Sequence, residues 1–260
     1  MLSAILHGKK TGTGFAGTRL KIGETQGAED VLTSTVFERI AYLPNETFTQ
    51  FIKCLFNEKE DTGYLKEIDF WLAWEWNSSF VEPDVLLTGS NGQSIIIEAK
   101  RYDYLQQQYA EQLAKELIAA SQNGIANPIL LTIGGMAEYN EKSLNHLRKQ
   151  VEQELAKFSG TFSYKIYCVS WQDVYLALDK AVKHHKNEAF LLRLLNDIRE
   201  AYEWHGIRHQ PRQWLSGLSR YSLNNVAFPD IFKQEKNWKR LVPMNIERTK
   251  SPSFLGVKDE

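Results

Sequence analysis

Asp84, Glu98 and Lys100 are the residues of this chain whose types and spacing could do chemistry. Two carboxylates and an ammonium brought together suit metal-assisted hydrolysis of a phosphodiester. The acids hold a hard divalent cation, and the lysine holds an attacking water or neutralises charge developing on phosphorus. Carboxylates side by side repel, and a cation between them removes that cost. An all-oxygen ligand set favours Mg2+ or Mn2+.

The elements around these residues must bring them to one place. Glu98 and Lys100 stand two apart at the end of the apolar run Ile95-Ile96-Ile97, so on a strand they share a face while Ala99 points the other way. Val85-Leu86-Leu87 forms the preceding strand, and Gly89-Ser90-Asn91-Gly92 is a turn cluster. A three-residue loop, Ser90-Asn91-Gly92 with Gly92 left-handed, pairs Val85 with Ile97 and sets Asp84 opposite Glu98. A two-residue Asn91-Gly92 loop shifts the register by one and turns Asp84 to the wrong face. The chemistry therefore makes a demand on the hairpin.

Pro83-Asp84 followed by Glu98-Ala99-Lys100 resembles the PD-(D/E)xK superfamily of restriction-endonuclease-like nucleases. The resemblance implies an α/β fold with a mixed β-sheet flanked by helices. It also implies metal ligation by Asp84, Glu98 and the backbone carbonyl of Ala99, with Lys100 as the catalytic lysine. Such nucleases carry an acid on the helix before the sheet, bound to metal or orienting water. Residues 27–44 read as that helix, with Leu32, Val36, Ile40 and Leu43 at helical spacing and Pro44 ending it. Glu29 is the first candidate and Glu38 the reserve. A glutamine on the helix after the lysine is a further family element. Residues 104–121 read as that helix, faced by Leu105, Tyr109, Leu113, Leu117 and Ala120, and Gln112 matches best, with Gln107 and Gln108 on the same predicted helix.

The chain order fits this reading over residues 27–182, after an N-terminal segment of residues 1–26. Residues 48–56 form a second helix, and Leu65 to Trp76 alternates as one long strand. Pro128 to Ile133 is a buried strand ending in Gly134-Gly135. Residues 142–158 are a helix, 164–170 a strand and 171–182 a helix. Residues 183–260 are a basic, aromatic-rich, mostly helical or irregular extension that begins with an amphipathic helix over 188–204.

Charge and composition bound the function. The 260 residues are 43% hydrophobic with a formal net charge of -1. That balance hides a polarity, because residues 205–250 hold nine Lys/Arg against three acids. Arg208, Arg212, Lys236, Lys239 and Arg240 in this stretch, and Arg101 next to the motif, are candidates for contacting phosphates, with interleaved aromatics available to stack on bases. Arg101 has an alternative partner in Asp103. Cys54 and Cys168 lack metal-ligand spacing and read as reduced thiols. No apolar run is long enough to span a membrane and the N-terminus lacks a signal-peptide core, so a cytoplasmic protein is expected. Gly8 to Gly14 lacks phosphate-loop spacing, and His205 with His209 lacks a third ligand.

The expected activity is a Mg2+- or Mn2+-dependent nuclease, most simply an endonuclease, acting on DNA, with RNA open. Antiviral defence and DNA repair are two settings that the resemblance allows. The alternative is a non-cleaving nucleic-acid-binding or assembly subunit with the same fold, acting as a homodimer or inside a larger complex. The intact acid, acid and lysine set favours cleavage.

Overall fold

Short β-branched runs bounded by turn residues and helices with one apolar stripe dictate a layered α/β arrangement. In the computed structural model, which describes residues 28–76, 79–184 and 188–211, the elements run α1 (Ala28–Ile40), α2 (Asn45–Leu55), β1 (Leu65–Phe70), β2 (Trp74–Trp76), β3 (Ser79–Val81), β4 (Val85–Gly89), β5 (Ser94–Ala99), α3 (Ala110–Gln122), β6 (Ile129–Ile133), α4 (Glu141–Leu155), β7 (Lys165–Val169), α5 (Trp171–His184) and α6 (Ala189–His205). Five strands form one sheet in the order β1-β4-β5-β6-β7. The β1/β4 and β4/β5 pairs are antiparallel, and β5/β6 and β6/β7 are parallel through helical crossovers. This is the mixed sheet flanked by helices that the sequence predicts.

Strand alternation divides the interior in two. On one face Val85, Leu87, Ile95, Ile97, Ala99, Ile129, Leu131 and Ile133 pack into a large core with α1, α2, α5 and α6. On the other, Leu86, Ile96, Leu130 and Ile166 pack against α3, α4 and the separate β2–β3 hairpin. β5 is buried along its whole length because both of its faces are covered.

Four differences from the sequence reading have local physical causes. The long strand over 65–76 is broken into β1 and β2, because Trp71 takes φ +47 and its N–H donates to the Asp84 carbonyl at 3.2 Å. A left-handed tryptophan is strained and is held by its contacts. The helix expected from 104 begins only at Ala110, since the N–H groups of Gln107 and Gln108 donate to the Gly135 carbonyl at 2.9 and 3.1 Å. Leu105 and Tyr109 are consequently exposed instead of lining a helix face. α1 stops at Ile40, and Pro44 sits at the N-cap of α2, where its missing N–H costs nothing. Finally, α6 lies within residues assigned by sequence to the extension, yet Leu191, Leu195, Ile198 and Tyr202 are part of the larger core. The compact unit accordingly runs to Pro211.

Candidate functional site

The hairpin meets the demand placed on it. Val85 pairs with Ile97, Leu86 with Ile96 and Leu87 with Ile95, which is the three-residue-loop register. Gly92 has φ +86, its N–H donates to Gly89 at 3.0 Å, and the Gly89 N–H donates to the Gln93 carbonyl at 2.9 Å. Asp84 therefore enters β4 on the face that carries Glu98 and Lys100.

Each of the three is fixed by named partners. Asp84 Oδ2 accepts from the Ala99 N–H at 2.8 Å, and Oδ1 accepts from the Trp71 indole at 3.1 Å. The strand break at Trp71 is thus what delivers an N–H to the first acid. Glu98 Oε1 accepts from Lys100 Nζ and from Gln112 Nε2, the latter at 2.7 Å. Lys100 Nζ also lies 3.5 Å from Glu29 Oε1, while Glu29 Oε2 accepts the Arg101 N–H at 2.7 Å. Glu29, in the first turn of α1, is therefore the helix acid at the site; Glu38 lies nine residues on, about 13 Å along the axis. Ala99 turns its methyl into the opposite core and places its backbone between Glu98 and Lys100.

Three more residues complete the site: Glu116 and Gly135, to which the sequence reading gives no site role, and Gln108, which it names behind Gln112. Glu116 is fully buried one helical turn from Gln112, whose Nε2 donates to Glu116 Oε1 at 3.1 Å and so joins it to Glu98. The signal was present, because an acid lay in the apolar stripe between Leu113 and Leu117. Gln108 Nε2 donates to the Gly134 carbonyl at 3.2 Å and reaches the Glu98 carbonyl at 3.4 Å, tying the loop before α3 to β5. Gly135, at φ +66, allows Lys100 to pack on bare backbone, since a Cβ there would meet Lys100 Cβ and Cγ at 2.8 Å.

Burial sets the electrostatics. Asp84, Glu98 and Glu116 are only 8, 2 and 0% exposed. Burial and the Glu98 charge push Asp84 well above the usual carboxylate range. Burial and the Glu116 charge raise Glu98 to about 8, against the opposing pull of Lys100. Glu116 is likewise raised to about 8, by burial and then by Asp84. Burial pulls Lys100 down, but Glu98, Glu29 and Asp84 outweigh it and raise the ammonium above its usual value. The cluster therefore holds extra protons near neutral pH while its lysine stays charged.

The uncharacterized protein PM0110 of Pasteurella multocida (strain Pm70) is 52% identical to this chain over 257 residues, covering 98% of this chain and 100% of the relative. The chain belongs to that protein's family. No family model matches this family member.

The donor set fits a hard divalent ion in chemistry. It consists of carboxylate oxygens that repel one another in a dry site, and Glu116 Oε2 accepts no hydrogen bond. Among the described residues, no three His, Cys, Asp or Glu side chains form a ready ligand cluster, so a bound ion would draw on two carboxylates and a backbone oxygen. Arg101 departs from its expected role. It is buried, donates through Nη2 to the His205 carbonyl at 3.1 Å and packs over Tyr102, so it ties α6 to the end of β5. Asp103 pairs with the Trp171 N–H at 2.8 Å instead of with Arg101. Arg208 is exposed, whereas Arg212, Lys236, Lys239 and Arg240 lie outside the described residues. No described helix is long and apolar enough to cross a membrane.

Proposed function

We propose that the chain is a metal-dependent nuclease that hydrolyses phosphodiester bonds in DNA, as a cytoplasmic enzyme related to the PD-(D/E)xK nucleases. The observation that carries this reading is the hairpin register, which sets Asp84 on the sheet face of Glu98 and Lys100, with Glu29 and Gln112 joining them from the flanking helices. Asp84, Glu98 and the Ala99 carbonyl would hold Mg2+ or Mn2+, with Glu29 beyond Lys100 as a further acid. The ion, when bound, supplies a water of lowered pKa and charge neutralisation at the phosphoryl oxygens. Lys100 stays protonated at neutral pH, so its part is to stabilise negative charge on phosphorus and not to deprotonate water. Gln112 orients Glu98 and ties it to Glu116 by donating to both. Trp71 and the Ala99 N–H fix the rotamer of Asp84.

One observation favours the second reading, a non-cleaving nucleic-acid-binding or assembly subunit. Both oxygens of Asp84 already accept N–H donors, and the Glu98 oxygen facing Lys100 is bound to it, so the acids are satisfied within the chain. The decisive experiment incubates the purified chain with linear, circular and branched DNA and with RNA, in Mg2+, Mn2+ or EDTA. The nuclease reading expects cation-dependent cleavage that Asp84→Ala and Lys100→Ala both lose. Cleavage unchanged in both variants overturns the site. Binding without cleavage across all substrates favours the subunit reading.

A further inference from the structure

A cleft of about 840 Å3 opens beside the site, between β3 and the start of α3, and Gln108, Gln112 and Glu116 line its wall. Phe80 and Tyr109 line the same cleft, and each is 62% exposed. Large aromatic rings left this open at the entrance to a polar site are available for stacking. Gln106, His146 and Gln150 also line a second hollow of about 530 Å3, so the two form one trough along α4, where Lys142 and Lys149 stand.

We propose that this trough binds an unpaired nucleic-acid strand, with bases stacked on Phe80 and Tyr109, and that the substrate class of the nuclease is single-stranded or locally unpaired. The inference rests on the function proposed above. Three observations support it. The hollow next to the site, about 840 Å3, lies in the range of clefts that enclose a small ligand, about 300–1,000 Å3, and suits one or two nucleotides, with the second hollow continuing the path of the strand. The acids are almost wholly buried, so a phosphodiester must bend inward past Gln112 to reach them, and a single strand bends far more readily than a duplex. The walls carry no excess of positive charge: Lys115, Lys142 and Lys149 share them with Glu82, Glu111, Glu138 and the buried Glu116, and Lys115 is paired to Glu111 at 2.7 Å. A duplex read through its phosphates needs a strong cationic surface, whereas a single strand adds stacking on the aromatic rings to the cationic contacts that Lys115, Lys142 and Lys149 offer.

The test measures binding of the full chain to a fluorescent single-stranded oligonucleotide and to its duplex in EDTA, and separately cleavage of both in Mg2+ or Mn2+. The proposal expects tighter binding of the single strand. It expects Phe80→Ala and Tyr109→Ala each to weaken that binding by on the order of tenfold, with Tyr109→Phe restoring it. Equal binding of duplex and single strand, or unchanged binding in both alanine variants, overturns it and leaves the rings as a surface for a protein partner. Stacking-dependent binding without cleavage upholds the strand-binding trough and removes the nuclease reading. Duplex cleavage indifferent to Phe80→Ala and Tyr109→Ala does the reverse.

Discussion

The two faces of β5 differ sharply in what they bury. Ile95, Ile97 and Ala99 enter a core built from four helices, while of the interleaved residues Ile96 packs with α3, Glu98 bonds Gln112 of α3, and Lys100 lies between Glu98 and Glu29. One strand thus carries stability on one side and charge on the other, separated by the thickness of a backbone. The apolar face can be dry because everything it presents is hydrocarbon. The polar face is also dry, but it contains three carboxylates and a lysine, and it tolerates them only through Trp71, Gln112, the Ala99 N–H and retained protons. Polar groups in a packed interior cost free energy unless paired, so this face adds less to stability than the apolar one and is where the proposed chemistry lies.

The comparison breaks first at the level of activity. Lys100→Ala or Asp84→Ala is expected to lower cleavage by on the order of a thousandfold, with the fold intact by circular dichroism. The same loss from a substitution confined to the apolar face, in a protein that remains folded, would remove the division of labour. Stability should show the converse. Ile97→Ala is expected to cost about 2–5 kcal/mol in urea denaturation. Glu98→Gln keeps the shape, and because Glu98 already holds a proton near neutral pH it should shift the denaturation midpoint less than Ile97→Ala does. A loss from Glu98→Gln as large as that from Ile97→Ala would contradict the assignment of faces.

Acidity sharpens the contrast further, because the buried carboxylates and the buried His205 respond in opposite directions. Glu98 and Glu116 hold their protons up to about 8 when folded and release them near 4.5 when unfolded. Across that interval the folded state binds more protons, so without divalent ion stability falls as pH rises, by about 1.4 kcal/mol per pH unit for each proton held. His205, at the end of α6, is pulled down to about 4 by burial and by Arg101. Here the unfolded state binds the extra proton, so its contribution is full above 6.5 and is lost as pH falls toward 4, by about 3 kcal/mol in all. Denaturation between pH 6.5 and 8 isolates the carboxylates. Glu116→Gln should flatten that slope and leave the acid limb in place.

The smallest effect tests the join between the faces. Gly135→Ala puts a methyl against Lys100 at a backbone angle that favours glycine, and should cost about 1–2 kcal/mol while lowering cleavage through the displaced lysine. Unchanged activity would mean that Lys100 needs no such support.

Much of this was legible in the sequence where the signal was local. The apolar runs of β4, β5 and β6, the amphipathic stripes, and the glycine that sets the hairpin register are written in adjacent residues, and so is the shared face of Glu98 and Lys100. Long-range closure left no such trace. Nothing near Trp71 announces that the strand breaks there to bring an indole to Asp84, thirteen residues on. The loop over 104–109 carries a helix-like pattern that hydrogen bonds to Gly135 override. Glu116 looks like an ordinary helix acid until the face of α3 that carries it is seen to be buried.

By itself the sequence determined which residues could do chemistry and which strands would carry them, because side-chain alternation and turn chemistry act over a few residues. Only the tertiary structure decided that Glu29 and not Glu38 meets Lys100, that Arg101 is spent on the end of α6, and that Glu116 joins the acids. Those outcomes depend on how helices distant in sequence dock on the sheet, and that docking is settled by the packing of the whole core.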